Sequence, residues 1–190
     1  MATQHLDLEE QEQLAQLKHF WNRWGNLITW ALIAVLGAFA AWNGWNFWQQ
    51  RQAVQAAALY DQMEAATQAG DVERTTRVLA DMQASYPSAE YTAQAALLAA
   101  KTLVEKEKTA EAKAALAWVA EKASDSGLQA TARLRLASLL YADKAYDEAL
   151  QQLSASFAPP FAPLAADRRG DVLLAQGKKD LAIAEYGKAY

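Results

Sequence analysis

ARLRLASLLYADKAYDEALQQLSAS, residues 132–156, reads as two short helices around a charged turn. Leu136 and Ala137 stand on the first helix; Tyr146, Ala149 and Leu153 stand on the second. The spacing is helical and no strand-like alternation is present. Small residues let the two helices approach closely, and the large ones fill the gap to whatever packs next. A single helix pair cannot bury such a face alone, so the stretch predicts neighbours of the same kind.

Those neighbours are found on both sides. DRRGDVLLAQGKKDLAIAEYGKAY, residues 167–190, repeats the offsets 33 residues on, at Gly170, Gly177, Ala182, Tyr186 and Ala189. Ala100, Ala112, Leu116 and Val119 match 37 residues earlier; Gly70, Leu79, Met82 and Pro87 match 37 residues earlier again. These periods straddle the 34 residues of a tetratricopeptide repeat, whose Leu-Gly, Tyr, Ala and Phe positions they occupy. Gly70, Pro87, Gly127, Pro159-Pro160, Pro163 and Gly177 punctuate the helices. The predicted helices are Arg51–Ala69, Asp71–Ala84, Ala89–Glu105, Thr109–Lys122, Leu128–Ala142, Tyr146–Ala155, Pro163–Gln176 and Lys179–Tyr190. The chain stops inside the last of these, so a cap from further chain or from a partner is expected there.

The other informative stretch is WNRWGNLITWALIAVLGAFAAWNGWNFWQQ, residues 21–50, which holds six of the seven tryptophans and one charge, Arg23. Trp prefers the membrane–water boundary. Trp21 and Trp24 flank one end of the aliphatic run Leu27–Ala41, and Trp42, Trp45 and Trp48 flank the other. As a helix, Trp24 to Trp45 spans about 31 Å, against about 30 Å for a hydrocarbon core. A cleaved signal peptide is the rival, since Ala38-Phe39-Ala40 has the right form. The long acidic segment before it and the uncharged run beyond Ala40 favour a retained anchor instead. A buried soluble helix does not explain Trp at both ends. Lys18 and Arg23 against Arg51 place the N-terminus in the cytosol.

The expected architecture is all-α: a cytosolic amphipathic segment at 1–26, a transmembrane anchor at 27–48, and a helix-pair solenoid of about four repeats at 49–190. Within 1–26, Asp7 and Glu10 have capping-box spacing, and Leu14, Leu17, Trp21, Trp24 and Ile28 share one face. That face suits a cytosolic docking helix or a solvated lead into the anchor. Trp48–Gln52 has no breaker and is expected to carry one helix from anchor into repeats. Gly37, Ala41 and Gly44 form a small-residue stripe for helix packing, with Asn43 and Asn46 placed to bond a partner helix or headgroups.

Composition excludes several chemistries. Cys is absent, and the two histidines, His5 and His19, precede the anchor. Disulfides, thiolate metal sites and imidazole catalysis beyond the membrane are thus excluded. The net charge is −4, and residues 51–190 carry 16 basic against 18 acidic side chains, so no nucleic-acid footprint is present. No cofactor is expected. Arg169-Gly170-Asp171 spells an adhesion tripeptide but falls within a repeat helix. Gly177-Lys178-Lys179 lacks the upstream glycine of a phosphate loop. Glu105/Glu107 and Asp147/Glu148 lie in turns and helix starts, where acids are favoured anyway. No enzyme signature is found.

What remains is binding. The first helices of such repeats line the concave face, and the residues expected there are Tyr60, Glu64, Leu97, Lys101, Leu134, Ser138, Tyr141, Asp167 and Asp171. The set mixes apolar and charged types and lacks the Lys/Asn/Arg cluster that clamps a C-terminal carboxylate. Phe157 and Phe161 around Pro159-Pro160 are expected to pack under the next pair.

Glu9–Glu12, LKHFWNRWGN at 17–26, AAWNGWNFWQQ at 40–50, AALLAAKTLVEKEKTAEAKAALAWVAEKA at 95–123 and RRGDVLLAQGKKDLAIAEYGKAY at 168–190 together resemble the YfgM family, the ancillary subunit of the bacterial SecYEG translocon. The resemblance covers nearly the whole chain. It implies a single-pass inner-membrane protein with a periplasmic repeat domain, associated with SecYEG and with the membrane-anchored foldase PpiD. It implies a part in handing exported polypeptides to periplasmic chaperones. The competing reading is a regulatory tether, in which residues 1–26 bind a cytosolic signalling protein and the outer domain senses envelope state. Deletion of residues 1–20 separates the two, because only the tether loses function with the outer complex intact.

Overall fold

The computed structural model describes residues 8–189. Eight α-helices run through them: α1 (Leu8–Gln68), α2 (Val72–Ser85), α3 (Glu90–Glu105), α4 (Thr109–Lys122), α5 (Ser126–Ala142), α6 (Tyr146–Leu153), α7 (Ala162–Ala175) and α8 (Lys179–Ala189). Packing divides the chain into two units, Met1–Gln49 and Gln50–Tyr190. The expected cap at Asp7 and the expected helix end at Tyr190 lie outside the described residues.

α1 is unbroken from Leu8 to Gln68, because no Pro interrupts its Ala- and Leu-rich run. Gly25 is buried under its own neighbour: a Cβ there would sit 3.1 Å from the Trp21 indole. Thr29 Oγ1 donates to the Gly25 carbonyl at 2.8 Å, so the hydroxyl is satisfied inside the helix.

The second unit is a stack of helix pairs. From α2 onward each helix packs on the next, and the first helices of successive pairs also touch, α3 on α5 and α5 on α7. One continuous core runs from Met63 through Leu103, Leu116, Leu140 and Leu153 to Val172. Alanine fills the tight crossings: Ala100, Ala112, Ala137, Ala149 and Ala182 are all buried. Thr75 holds the corresponding place in α2, and its buried Oγ1 has no hydrogen-bond partner among the described residues.

The repeat is written most clearly in its turns. Gly70, Glu107, Lys144 and Gly177 have φ of 65°, 59°, 61° and 78°, the left-handed region. They are spaced by 37, 37 and 33 residues, the periods read from the sequence. Each is followed by an N–H that reaches back to the last turn of the first helix. These bonds are Asp71 N to Ala66 O at 3.0 Å, Lys108 N to Leu103 O at 2.8 Å, Ala145 N to Leu140 O at 2.9 Å, and Lys178 N to Leu173 O at 2.9 Å. This is the helix-ending geometry that glycine fits without strain. Lys144→Gly is therefore expected to stabilise the second unit by about 0.5–1 kcal/mol, after the greater freedom of glycine in the unfolded chain is subtracted. Urea titration of the two proteins checks this.

The pairs are also stitched at their junctions. A polar side chain on each new first helix donates to a carbonyl at the end of the preceding second helix. Thr92 Oγ1 reaches Tyr86 O at 2.7 Å, Arg133 Nη2 reaches Ala120 O at 2.8 Å, and Arg169 Nη1 reaches Leu153 O at 2.7 Å. The Ala120 and Leu153 carbonyls stand in the last turns of their helices, where the side chains supply a partner, and the Tyr86 carbonyl accepts from Ala89 N at 3.1 Å as well as from Thr92.

Candidate functional site

The first-helix positions expected to line a binding face fall into register. Tyr60, Leu97, Leu134 and Asp167 each stand ten residues before a left-handed turn residue, and Glu64, Lys101, Ser138 and Asp171 stand six before it. Most remain open to solvent: Glu64, Lys101, Ser138 and Tyr141 are exposed, and Tyr60, Leu134, Asp167 and Asp171 are half-buried. Leu97 requires a correction. It is only 8 % exposed and belongs to the core, because Ala-rich α3 is enclosed by its neighbours on most of its surface.

Two adjoining hollows run along this face. One, about 410 Å³, is lined by Ala100, Lys101, Val104, Leu116, Arg135 and Ser138, among others. The other, about 120 Å³, is lined by Ala137, Ser138, Tyr141, Leu153, Arg168 and Asp171, with Val172. Ser138 borders both. At the near end of α3, Tyr60 and Tyr91 pair with ring centroids 5.7 Å apart.

The smaller hollow has a built polar rim. Tyr186 Oη donates to Asp171 Oδ1 at 3.0 Å, and Arg168 Nη1 approaches Asp171 Oδ2 at 3.4 Å. Burial, then the hydrogen bond to Asp171, pushes the Tyr186 phenol above its ordinary pKa. Gly170 makes room for this ring, since a Cβ there would fall 2.4 Å from it. The residues of the adhesion tripeptide are thus all used internally. Arg169 Nε pairs with Glu185 at 2.7 Å, Gly170 lies under Tyr186, and Asp171 holds the Tyr186 hydroxyl.

Glu185 also gives the second unit a pH dependence. Burial works to raise its pKa, but hydrogen bonds from Lys188 at 2.5 Å and Arg169 at 2.7 Å outweigh that and hold it below the ordinary 4.5. A depressed folded-state pKa means stability that is present above the unfolded value and lost as pH falls through the folded one. The urea midpoint is expected to drop below pH 4.5, with a shallower drop in Glu185→Gln. Equal slopes in the two proteins would contradict the assignment.

Phe161 leans back on Gly127 at the start of α5, 3.8 Å from where a Cβ would be, so it packs against the preceding pair. Asp147 accepts from Gln176 Nε2 at 2.9 Å, a bond between α6 and the end of α7, and Glu105 lies 3.9 Å from Lys101 one turn away, so both are engaged within the fold. Among the described residues no group of three or more His, Cys, Asp or Glu is placed to hold a metal ion. Sequence reading missed Arg133, Arg135 and Arg168, and named Arg169 without its bond to the Leu153 carbonyl. Only their position on first helices hinted at a role, and charged residues on helices are ordinarily just solvated.

Along α1 the side chains between the tryptophan belts are exposed, Leu36 at 64 % and Phe39 at 67 %. Trp42, Trp45 and Trp48 are exposed as well, and the Trp45 and Trp48 rings lie 5.4 Å apart. Gly37 and Gly44 have nothing within 4 Å of a built Cβ among the described residues. Asn43 Nδ2 donates to the Phe39 carbonyl at 3.0 Å, which spends one of its donors inside the helix. α1 contains one stretch long and apolar enough to cross a membrane. So large an apolar surface is not kept in water by soluble domains.

Residues 18–190 match a family model described as a tetratricopeptide repeat-like domain. Over 183 residues the chain is 35% identical to an ancillary SecYEG translocon subunit of Neisseria gonorrhoeae, covering 96% of this chain and 88% of that protein. The chain belongs to the YfgM family. A second relative named as an ancillary SecYEG translocon subunit, from Haemophilus influenzae, is 29% identical over 182 residues, covering 96% of this chain and 89% of that protein. The resemblance to the YfgM family is therefore borne out, as is the helix-pair fold.

Proposed function

We propose that this YfgM-family protein is a non-enzymatic ancillary subunit of the SecYEG translocon. Residues 1–26 lie in the cytosol, 27–48 span the inner membrane once, and 49–190 work in the periplasm. The anchor docks laterally through the Gly37, Ala41 and Gly44 stripe. The repeats, together with the foldase PpiD, receive exported polypeptides along the first-helix face and pass them to periplasmic chaperones. The observation that carries this reading is the 35% identity, over 96% of this chain, to a protein named for that complex, together with an apolar stretch of α1 that exposes its surface between tryptophans.

Purification of the full chain from its native membrane in mild detergent tests it. SecYEG subunits and PpiD are expected to co-purify. Exchange of residues 27–48 for an unrelated apolar span of equal length is expected to lose them while the protein stays in the membrane. Absence of translocon subunits from the native preparation would overturn the proposal.

A further inference from the structure

Among the cations of the first-helix face, Arg135 stands apart. Arg168 is paired with Asp171, and Asp171 is further engaged by Tyr186. Lys101 has Glu105 at 3.9 Å. Arg135 is exposed, borders the 410 Å³ hollow, and has no hydrogen-bond or ion-pair partner among the described residues. The floor beneath it is apolar, formed by Ala100, Val104, Leu116 and Leu139, and Val104 is 39 % exposed. The hollow is of a size that takes a bulky side chain whole. It therefore offers an apolar seat and, at its lip, one unspent planar donor fork, the geometry that carboxylates fit.

We infer that this hollow binds extended polypeptide segments in which a bulky apolar residue stands beside an acidic one, the apolar side chain seated over Val104 and Leu116 and the carboxylate on Arg135. The inference rests on the proposed role in receiving exported chains and names the class of segment received. Continuity past Ser138 into the smaller hollow gives the following residue of an extended chain a second, smaller seat bordered by Tyr141. There Asp171 is already spent, and in the larger hollow Glu105, which also lines it, faces Lys101 at 3.9 Å, so the charge left to select is Arg135. Basic segments are disfavoured at this end.

The test uses the full chain in detergent micelles and three fluorescent nine-residue peptides. The first centres on Phe-Glu in a Ser/Gly background, the second has Lys for that Glu, and the third has Ser for that Phe. Anisotropy titration is expected to show the first peptide binding about fivefold tighter than the Lys version, the worth of one partly exposed ion pair. It is expected to exceed the Ser version by about tenfold or more, from burial of the ring. Arg135→Glu is expected to reverse the charge preference, and Arg135→Ala to abolish it. Because Arg135 is exposed and unpaired, both variants keep the wild-type urea midpoint, which is measured alongside. Equal affinity for the charge pair, no change in Arg135→Glu, or no binding of any peptide would each overturn the inference. Co-purification of SecYEG with Arg135→Glu separates this outcome from failure of the proposed function, since docking by the anchor does not involve Arg135.

Discussion

Leu153→Ala is expected to destabilise the second unit by about 3 kcal/mol, the cost of a fully enclosed leucine replaced by a cavity. Leu153 is 0 % exposed and ends α6, the shortest helix at eight residues. Its side chain belongs to the continuous core and its carbonyl receives Arg169 from α7, so one residue joins α6 to the last pair through both groups. An eight-residue helix has little stability of its own and depends on such packing. Leu150→Ala, on the same helix but only half-buried, is expected to cost about 1 kcal/mol. Urea titration of the three proteins checks the ratio. Similar losses for Leu150 and Leu153 would show that α6 packs differently.

The second large effect concerns the anchor. Leu36→Arg places a charge near the middle of the apolar run, at a side chain 64 % exposed along α1. Insertion of such a helix is expected to become less favourable by about 3 kcal/mol. Carbonate extraction of membranes is expected to release a large part of the variant while the parent chain stays. Leu36→Phe, which keeps the apolar surface, is expected to remain membrane-bound. Full retention of Leu36→Arg would argue against a spanning segment.

Much of this fold was legible because it is periodic. The offsets around Ala137, Ala149 and Leu153 gave the repeat, and the left-handed turn residues fall at the same intervals. Gly70 and Gly177 announced their turns by type. Glu107 and Lys144 adopt the same geometry without glycine, so residue type did not announce those turns. Helix ends shifted where a side chain decided them. α5 begins at Ser126 and not at Leu128, because Asp125 accepts from the Leu128 N–H at 2.7 Å. α6 stops at Leu153, short of the expected Ala155.

The candidate face was legible by register but not by burial. Leu97 holds the same repeat position as Leu134, yet α3 is more enclosed than α5. The arginine stitches to Ala120 and Leu153 left no trace in the sequence, since a side chain that reaches a distant carbonyl creates no period. The unpaired state of Arg135 was equally hidden, because it depends on which acids the fold brings near.

The central claim is that the anchor docks the protein at the translocon while the repeat face receives the exported chain. Photo-crosslinking in living cells tests it most directly, with the probe placed in turn at Ala41, Asn46 and Tyr141. The account predicts adducts to SecYEG or PpiD subunits from Ala41 and Asn46, and adducts to exported polypeptides from Tyr141, which is 41 % exposed beside the smaller hollow. An inserted, expressed protein that yields no adduct at any of the three sites would contradict it.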